Sequence, residues 1–188
     1  MEEIDKARDS GDSLGGIFEV IAFGIPVGIG SHVHWDRRLD GRLASSVMSI
    51  QGIKGVEIGD GFALASLMGS QAADLVRHKE GKGFYHHGNH GGGLEGGITN
   101  GETLVIRAAM KPIPTLAAPL ESVDLASKQT GEAAVERSDT CAVPAAAVVA
   151  ESAISFVLAD ALLEKVGGDN INEIMERYKK MREGLIEF

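Results

Sequence analysis

Apolar residues fall in short blocks along this chain, and most blocks are closed by glycine. Ile17–Phe23 is an apolar run ended by Gly24 and Pro26, which predicts a strand. From Asp36 onward, Leu39, Leu43, Val47 and Ile50 share one helical stripe, and Asp36 stands where an N-cap would. Gly55–Ile58 reads as a second short strand, ended by the Gly59-Asp60-Gly61 turn. Ala63–Val76 begins with helical spacing and then loses it. Arg77–Gly93 is polar, glycine-rich and without period, so it predicts a mobile loop. Met1–Arg8 has the pattern of the last turns of a helix.

The second half repeats the alternation. Gly96–Thr99 and Thr103–Met110 read as strands around Asn100-Gly101, a dipeptide that favours a two-residue hairpin turn. Lys111-Pro112-Ile113-Pro114-Thr115 must leave any ladder, because its prolines cannot donate. Leu120–Leu125 suits an edge strand. Pro144 suits the first turn of a long helix, Ala145–Lys165, stopped by Gly167-Gly168. That helix is apolar nearly all round, which predicts burial between layers. Asp169 or Asn170 caps a last amphipathic helix reaching about Arg182. With no repeat or linker, the pattern predicts an α+β fold, a single unit over residues 1–188 with antiparallel hairpins packed on long helices.

Composition narrows the function. A net charge of −9 argues against nucleic acid as the main partner, although a few focused cations can still hold an anion. The single cysteine, Cys141, excludes an internal disulfide framework and fits a reducing cytosol. No apolar run approaches the roughly 20 residues of a membrane span. The polar start, MEEIDKARDSGDS, is neither a secretory signal nor a transit peptide. The chain holds 25 glycines, clustered beside apolar stretches, which points to ordered turns and a backbone that something approaches closely.

Three constellations carry candidate chemistry. His86-His87-Gly88-Asn89-His90 offers imidazoles to a metal, but no cysteine or helical His pair joins them, and a solvated loop is the plainer reading. Arg137-Ser138-Asp139, with Cys141 just after, suits anion binding and proton transfer before the long helix, but on spacing alone helix capping by Ser138 or Asp139 with a local ion pair is the plainer reading. Ser31-His32-Val33-His34-Trp35-Asp36-Arg37 could seat a ligand or form a buried interface. Nucleotide signatures fail: Gly28-Ile29-Gly30 and Gly59-Asp60-Gly61 lack a third glycine, and Gly81-Lys82 is followed by Gly83.

In order along the chain, GDSLGG, GSHVHWDRRLDGRLASSVMSI, KGVEIGDGF, GGLEGGITNG, MKPIPTL, ERSDTCAVPAA and VLADALLEK resemble the signatures of the chorismate synthase family. They cover nearly all of Asp12–Lys165 except 67–88 and 117–134. The resemblance implies a phosphate lyase of the shikimate pathway and aromatic amino acid biosynthesis. It would turn 5-enolpyruvylshikimate 3-phosphate into chorismate, with reduced FMN as cofactor. It also implies a cytoplasmic flavoprotein, a homotetramer, and one half of a layered β-α-β sandwich.

Motif by motif, the implied flavin contacts are Gln51, Gly52, Gly96, Lys111, Pro112, Ile113, Pro114, Thr115 and Arg137, and the implied catalytic residue is Asp139, in a proton relay. Lys111 would offer a cation to the flavin, and Arg137 a planar cation to substrate beside it. Asn89 fits an Asn-Asn-Ala-Gly-Gly motif from which His90 and Gly91 depart. The family's chains are roughly twice as long as this one, and their N-terminal half carries the catalytic histidines and further arginines. The expectation is therefore a C-terminal half, inactive alone. The alternatives are a non-catalytic flavin- or partner-binding subunit and a His-loop metal protein.

Overall fold

The computed structural model describes residues 1–81, 83–137 and 139–184. In chain order its first elements are α1 (Glu2–Asp9), β1 (Gly16–Ala22), α2 (Leu39–Met48), β2 (Ile53–Ile58), a 3-10 turn (Gly61–Ser66) and α3 (Gly69–Ala72). Then come β3 (Leu75–Lys79), β4 (Gly83–His87), β5 (Leu94–Glu95), β6 (Ile98–Thr99), β7 (Leu104–Met110), β8 (Glu121–Val123) and β9 (Thr130–Glu132). Two helices close the chain, α4 (Val143–Val166) and α5 (Ile171–Gly184). The α+β class follows directly.

A three-stranded antiparallel sheet, ordered β1-β7-β2, positions everything else. Strand alternation explains why it forms. Phe18, Val20, Leu104, Ile106 and Ala108 all point to one face and are buried. The other face carries the row Glu19, Arg107 and Glu57, in register across three strands, with Arg107 Nη2 2.8 Å from Glu57 Oε1. Helix α2 presents Leu39, Leu43 and Val47, spaced four apart and fully buried, against β2 and α4. Each such side chain contributes about 1.5–3 kcal/mol by leaving water. Helix α4 meets β1 and α2 through Ala146, Ala150, Ile154 and Ala161. Arg42–Asp160, Arg37–Glu164 and Arg42–Glu164 ion pairs border the contact between these two helices.

Several expectations need correction. The hairpin expected around Asn100-Gly101 does not form: β6 pairs with β5, and β7 pairs with β1 and β2. The turn chemistry is present, since Gly101 has φ +91° and Asn100 Oδ1 accepts from the Glu102 N–H. Tertiary pairing of the apolar β7 in the middle of the sheet overrides it. The expected loop at Arg77–Gly93 contains a regular hairpin, β3 with β4, in register from Leu75↔His87 to Lys79↔Gly83. The helix expected from Ala63 breaks into a 3-10 turn and one short helical turn before β3. Arg38, not Asp36, precedes α2, and Asp36 instead pairs with His34 Nδ1 at 2.7 Å. Trp35 beside it is 75% exposed, so that segment is not buried within this chain.

Helix α4 begins two residues earlier than predicted, with Pro144 in its first turn and Gly167, φ +62°, at its end. Asn170 caps α5 by accepting from the Glu173 N–H. Contrary to the reading of apolar runs, α4 is long and apolar enough to cross a membrane by length and composition. Its few charges do not offset the Ala, Val, Ile and Leu around them. One side of it packs in the core, and only 22% of its most apolar stretch is buried. Phe156 and Val148 stand 77% and 62% exposed on the other side. The layer predicted to cover both sides is therefore present on one side only.

Candidate functional site

Strand β7 ends where its hydrogen bonding must. After Met110 the chain enters Lys111-Pro112-Ile113-Pro114, whose prolines cannot extend the ladder. The last tie is from the Lys111 N–H to the Gly52 carbonyl, 2.9 Å. Gly52 belongs to the turn between α2 and β2, so this bond places Gln51 and Gly52 beside Lys111. The result is a cavity of about 410 Å³. Gln51, Gly52 and Lys111–Pro114 form part of its wall, and Met110, Ala142, Ala146 and Val149 supply apolar surface.

An adjoining cleft of about 320 Å³ gathers Thr115, Arg137 and Asp139 with Arg8, Asp12 and Thr140. The first residue of α4 follows Ala142, whose position no side chain caps, so Asp139 does not cap that helix. Ser138 lies outside the described residues. Lys111, Arg137 and Asp139 are exposed, and among the described residues none of them has an ion-pair partner. Lys111 in the first cavity and Arg137 in the cleft are thus cations open to an anion, with Asp12, Glu136 and Asp139 lining the cleft beside Arg137. Gly96 is the exception among the expected contacts. It sits exposed in the β5–β6 turn, lines neither cavity, and has no atom within 4 Å of where a side chain would begin.

The glycine- and histidine-rich stretch is ordered by carboxylates. Asp74 accepts from the backbone N–H groups of His90 and Gly91 at 2.9 and 2.8 Å. His90 Nδ1 lies 2.6 Å from Asp60 Oδ2, and this hydrogen bond, aided by the nearby Asp74 charge, raises the imidazole's pKa above its ordinary value. Asn89 closes the turn from both sides, donating to the Thr103 carbonyl and accepting from the Gly93 N–H. Gly59 and Gly92 cross here back to back. A side chain on Gly59 would meet the His90 carbonyl at 2.1 Å and the Gly92 nitrogen at 2.5 Å. Close approach of backbone to backbone thus explains these glycines. His86 turns to Glu95, 3.4 Å away, and among the described residues no group of three His, Cys, Asp or Glu is arranged to hold a metal ion.

The family profile for chorismate synthase matches residues 1–163. The chain belongs to the chorismate synthase family. The chorismate synthase of Moorella thermoacetica is 62% identical over 184 residues, which make up 98% of this chain and 48% of that protein. For the chorismate synthase of Desulforudis audaxviator the identity is 58% over 185 residues, covering 98% and 47%. A crystal structure of chorismate synthase superposes with a TM-score of 0.84 at 48% identity, over 100% of this chain and 48% of that one. The chain spans about half the length of the curated relatives it matches.

Within this chorismate synthase fold, residues expected from separate motifs come together. Gln51 and Gly52 meet Lys111–Pro114 in one cavity, and Thr115 meets Arg137 and Asp139 in the other. Arg8, Asp12 and Thr140 were not singled out from the sequence. Asp12 lies inside GDSLGG, a motif with no chemistry attached to it, while Arg8 ends a polar helix and carries no local signal.

Proposed function

We propose that this chain is the C-terminal half of a chorismate synthase, whose complete form eliminates phosphate from 5-enolpyruvylshikimate 3-phosphate with reduced FMN. The observation that carries this reading is the union of Gln51, Gly52 and Lys111–Pro114 in one cavity. Its residues fit a flavin: alanine, proline, methionine and valine surfaces suit a flat aromatic ring, and Lys111 adds a cation without a competing carboxylate. Reduced FMN, when bound, would supply electron density that assists departure of phosphate. Lys111 would stabilise negative charge at the cofactor. Arg137, planar and always protonated, would hold a substrate carboxylate or phosphate by paired hydrogen bonds. Asp139, next to it, would take or relay the ring proton lost in the same elimination.

Each of these groups is exposed in the chain alone, where water weakens its field. The proposal therefore assigns the N-terminal half of the family to complete the site. The same half would cover the outer side of α4 at Val148, Phe156 and Leu163. Assembly as a homotetramer of completed chains belongs to the same reading. The test is a fluorescence titration of the complete protein with FMN. Lys111→Ala should weaken binding with little change in thermal stability, and unchanged affinity would refute the flavin role of this cavity.

A further inference from the structure

The GDSLGG motif has no part in the reading above, yet Gly11 and Asp12 line the cleft of Arg137 and Asp139, and Ser13 bonds to Ile113 in the wall of the other cavity. Gly11–Gly16 runs between the 110–118 stretch on one side and the 140–143 stretch on the other. On the first side, the Gly11 carbonyl accepts from the Ala118 N–H at 3.0 Å, and Ser13 Oγ donates to the Ile113 carbonyl at 2.5 Å. On the second side, the Leu14 N–H donates to the Thr140 carbonyl at 2.7 Å, and Leu14 bridges Cys141 in parallel. Gly15 lies so close to the backbone of Met110–Pro112 that no side chain fits there. Asp12 fastens the upstream end, its N–H donating to the Ala7 carbonyl at the end of α1.

We infer that Gly11–Gly16 is a strap that sets Lys111–Thr115 against Arg137 and Asp139, with Ser13 as the positioning residue. This rests on the proposed function, and it assigns Ser13 no contact with flavin or substrate. The chemistry singles out Ser13. Pro112 and Pro114 have no N–H, so a continuous ladder cannot hold the flavin-side stretch, and the carbonyl between them is the group available for a tie. Ser13 is only 8% exposed, so its hydroxyl and the Ile113 carbonyl are paired away from competing water. Its own N–H is already satisfied by Asp12 Oδ1 at 2.7 Å, which leaves the side chain to span between segments. Alanine at this position removes that link and leaves the two neighbouring backbone ties intact.

The experiment compares wild type, Ser13→Ala and Ser46→Ala in the complete enzyme. Ser46 Oγ donates to the Leu43 carbonyl within α2, remote from the strap, and serves as the stability control. Ser13→Ala should weaken FMN binding by about three- to tenfold, the factor one neutral hydrogen bond carries. It should also speed backbone hydrogen exchange in the peptide covering 111–118, while Ser46→Ala changes neither. Affinity and exchange both within about twofold of wild type would overturn the strap, as would equal losses in Ser46→Ala. If wild type binds no FMN, the functional reading fails, and the exchange comparison still decides the strap by itself. Should Ser13→Ala not fold, Ser13→Cys, a weaker donor of similar size, should shift both readouts in the same direction.

Discussion

A single methyl group at Gly15 should displace the strand that leads into the cavity proposed to hold flavin. A Cβ built there would lie 2.3 Å from the Met110 carbonyl oxygen and 2.9 Å from both the Lys111 carbonyl carbon and the Pro112 nitrogen. Real Cβ atoms essentially never come within 3.0 Å of such atoms. The Met110 carbonyl must therefore retreat by at least about 0.7 Å, and no side-chain rotation can absorb the movement. Gly16 pairs with Met110 in the β1–β7 ladder, so the strain falls on the last pair of that ladder. Overpacking of this kind costs about 1–3 kcal/mol. For a chain of this size that lowers Tm by roughly 2–12 °C. A shift approaching an ångström in Lys111 should also weaken FMN by about tenfold or more in the complete enzyme, given how steeply function depends on placement.

Gly69→Ala is the matched control, because nothing lies within 4 Å of a side chain at that position. There the substitution should be neutral or stabilising by about 0.4–1 kcal/mol through the unfolded chain. Differential scanning fluorimetry and flavin titration of both variants decide the matter. Gly15→Ala behaving like Gly69→Ala, within about a degree in Tm and twofold in FMN affinity, would refute the packing described for the strap and β7.

Two further outcomes are expected. Asp139→Asn in the complete enzyme should fold normally and lose about 100- to 10,000-fold in chorismate formation, and a rate within about threefold of wild type would remove Asp139 from the proton relay. His90 is held above its ordinary pKa by Asp60 and Asp74, so its contribution to stability is fully present below about pH 6.5 and fades as pH rises through the raised value. The gap in urea midpoint between wild type and His90→Gln should accordingly be larger near pH 6 than near pH 9, and an equal gap at both would show that the charged pair is not what holds this loop.

The parts of the fold that could be read from sequence are those where one stretch decides its own fate. Leu39, Leu43 and Val47 announce α2 because one helix face is buried and the others are not. Pro144 and Gly167 bracket α4 because each has a local backbone reason to sit at a helix end. The β3–β4 hairpin was hidden because every residue of β3 is exposed, which leaves no alternation to detect. The partners of β7 were hidden for another reason: β1 lies more than eighty residues upstream, and no local pattern records that pairing.

The site shows the same division. Lys111-Pro112-Ile113-Pro114 visibly had to leave a sheet, but its meeting with Gln51 and Gly52 depends on the Lys111–Gly52 hydrogen bond between distant segments. Only the resemblance joined those motifs beforehand. Gly96, carried over from the same resemblance, stands apart from both cavities in this chain. Ser13 and Asp12 gave no chemical signal because their roles lie in contacts a hundred or more residues away.

The most direct test of the proposed division of the active site is chorismate formation measured anaerobically with photoreduced FMN and 5-enolpyruvylshikimate 3-phosphate. The 188-residue chain is assayed alone and again after addition of the N-terminal half of the Moorella thermoacetica relative. Stabilising a departing phosphate and a developing charge needs several positioned cations and acids at once, of which the proposal assigns this chain Lys111, Arg137 and Asp139. No product is expected from the chain alone, and turnover is expected once the two halves are combined. Clear turnover by the chain alone, or none from halves that demonstrably associate, would contradict it.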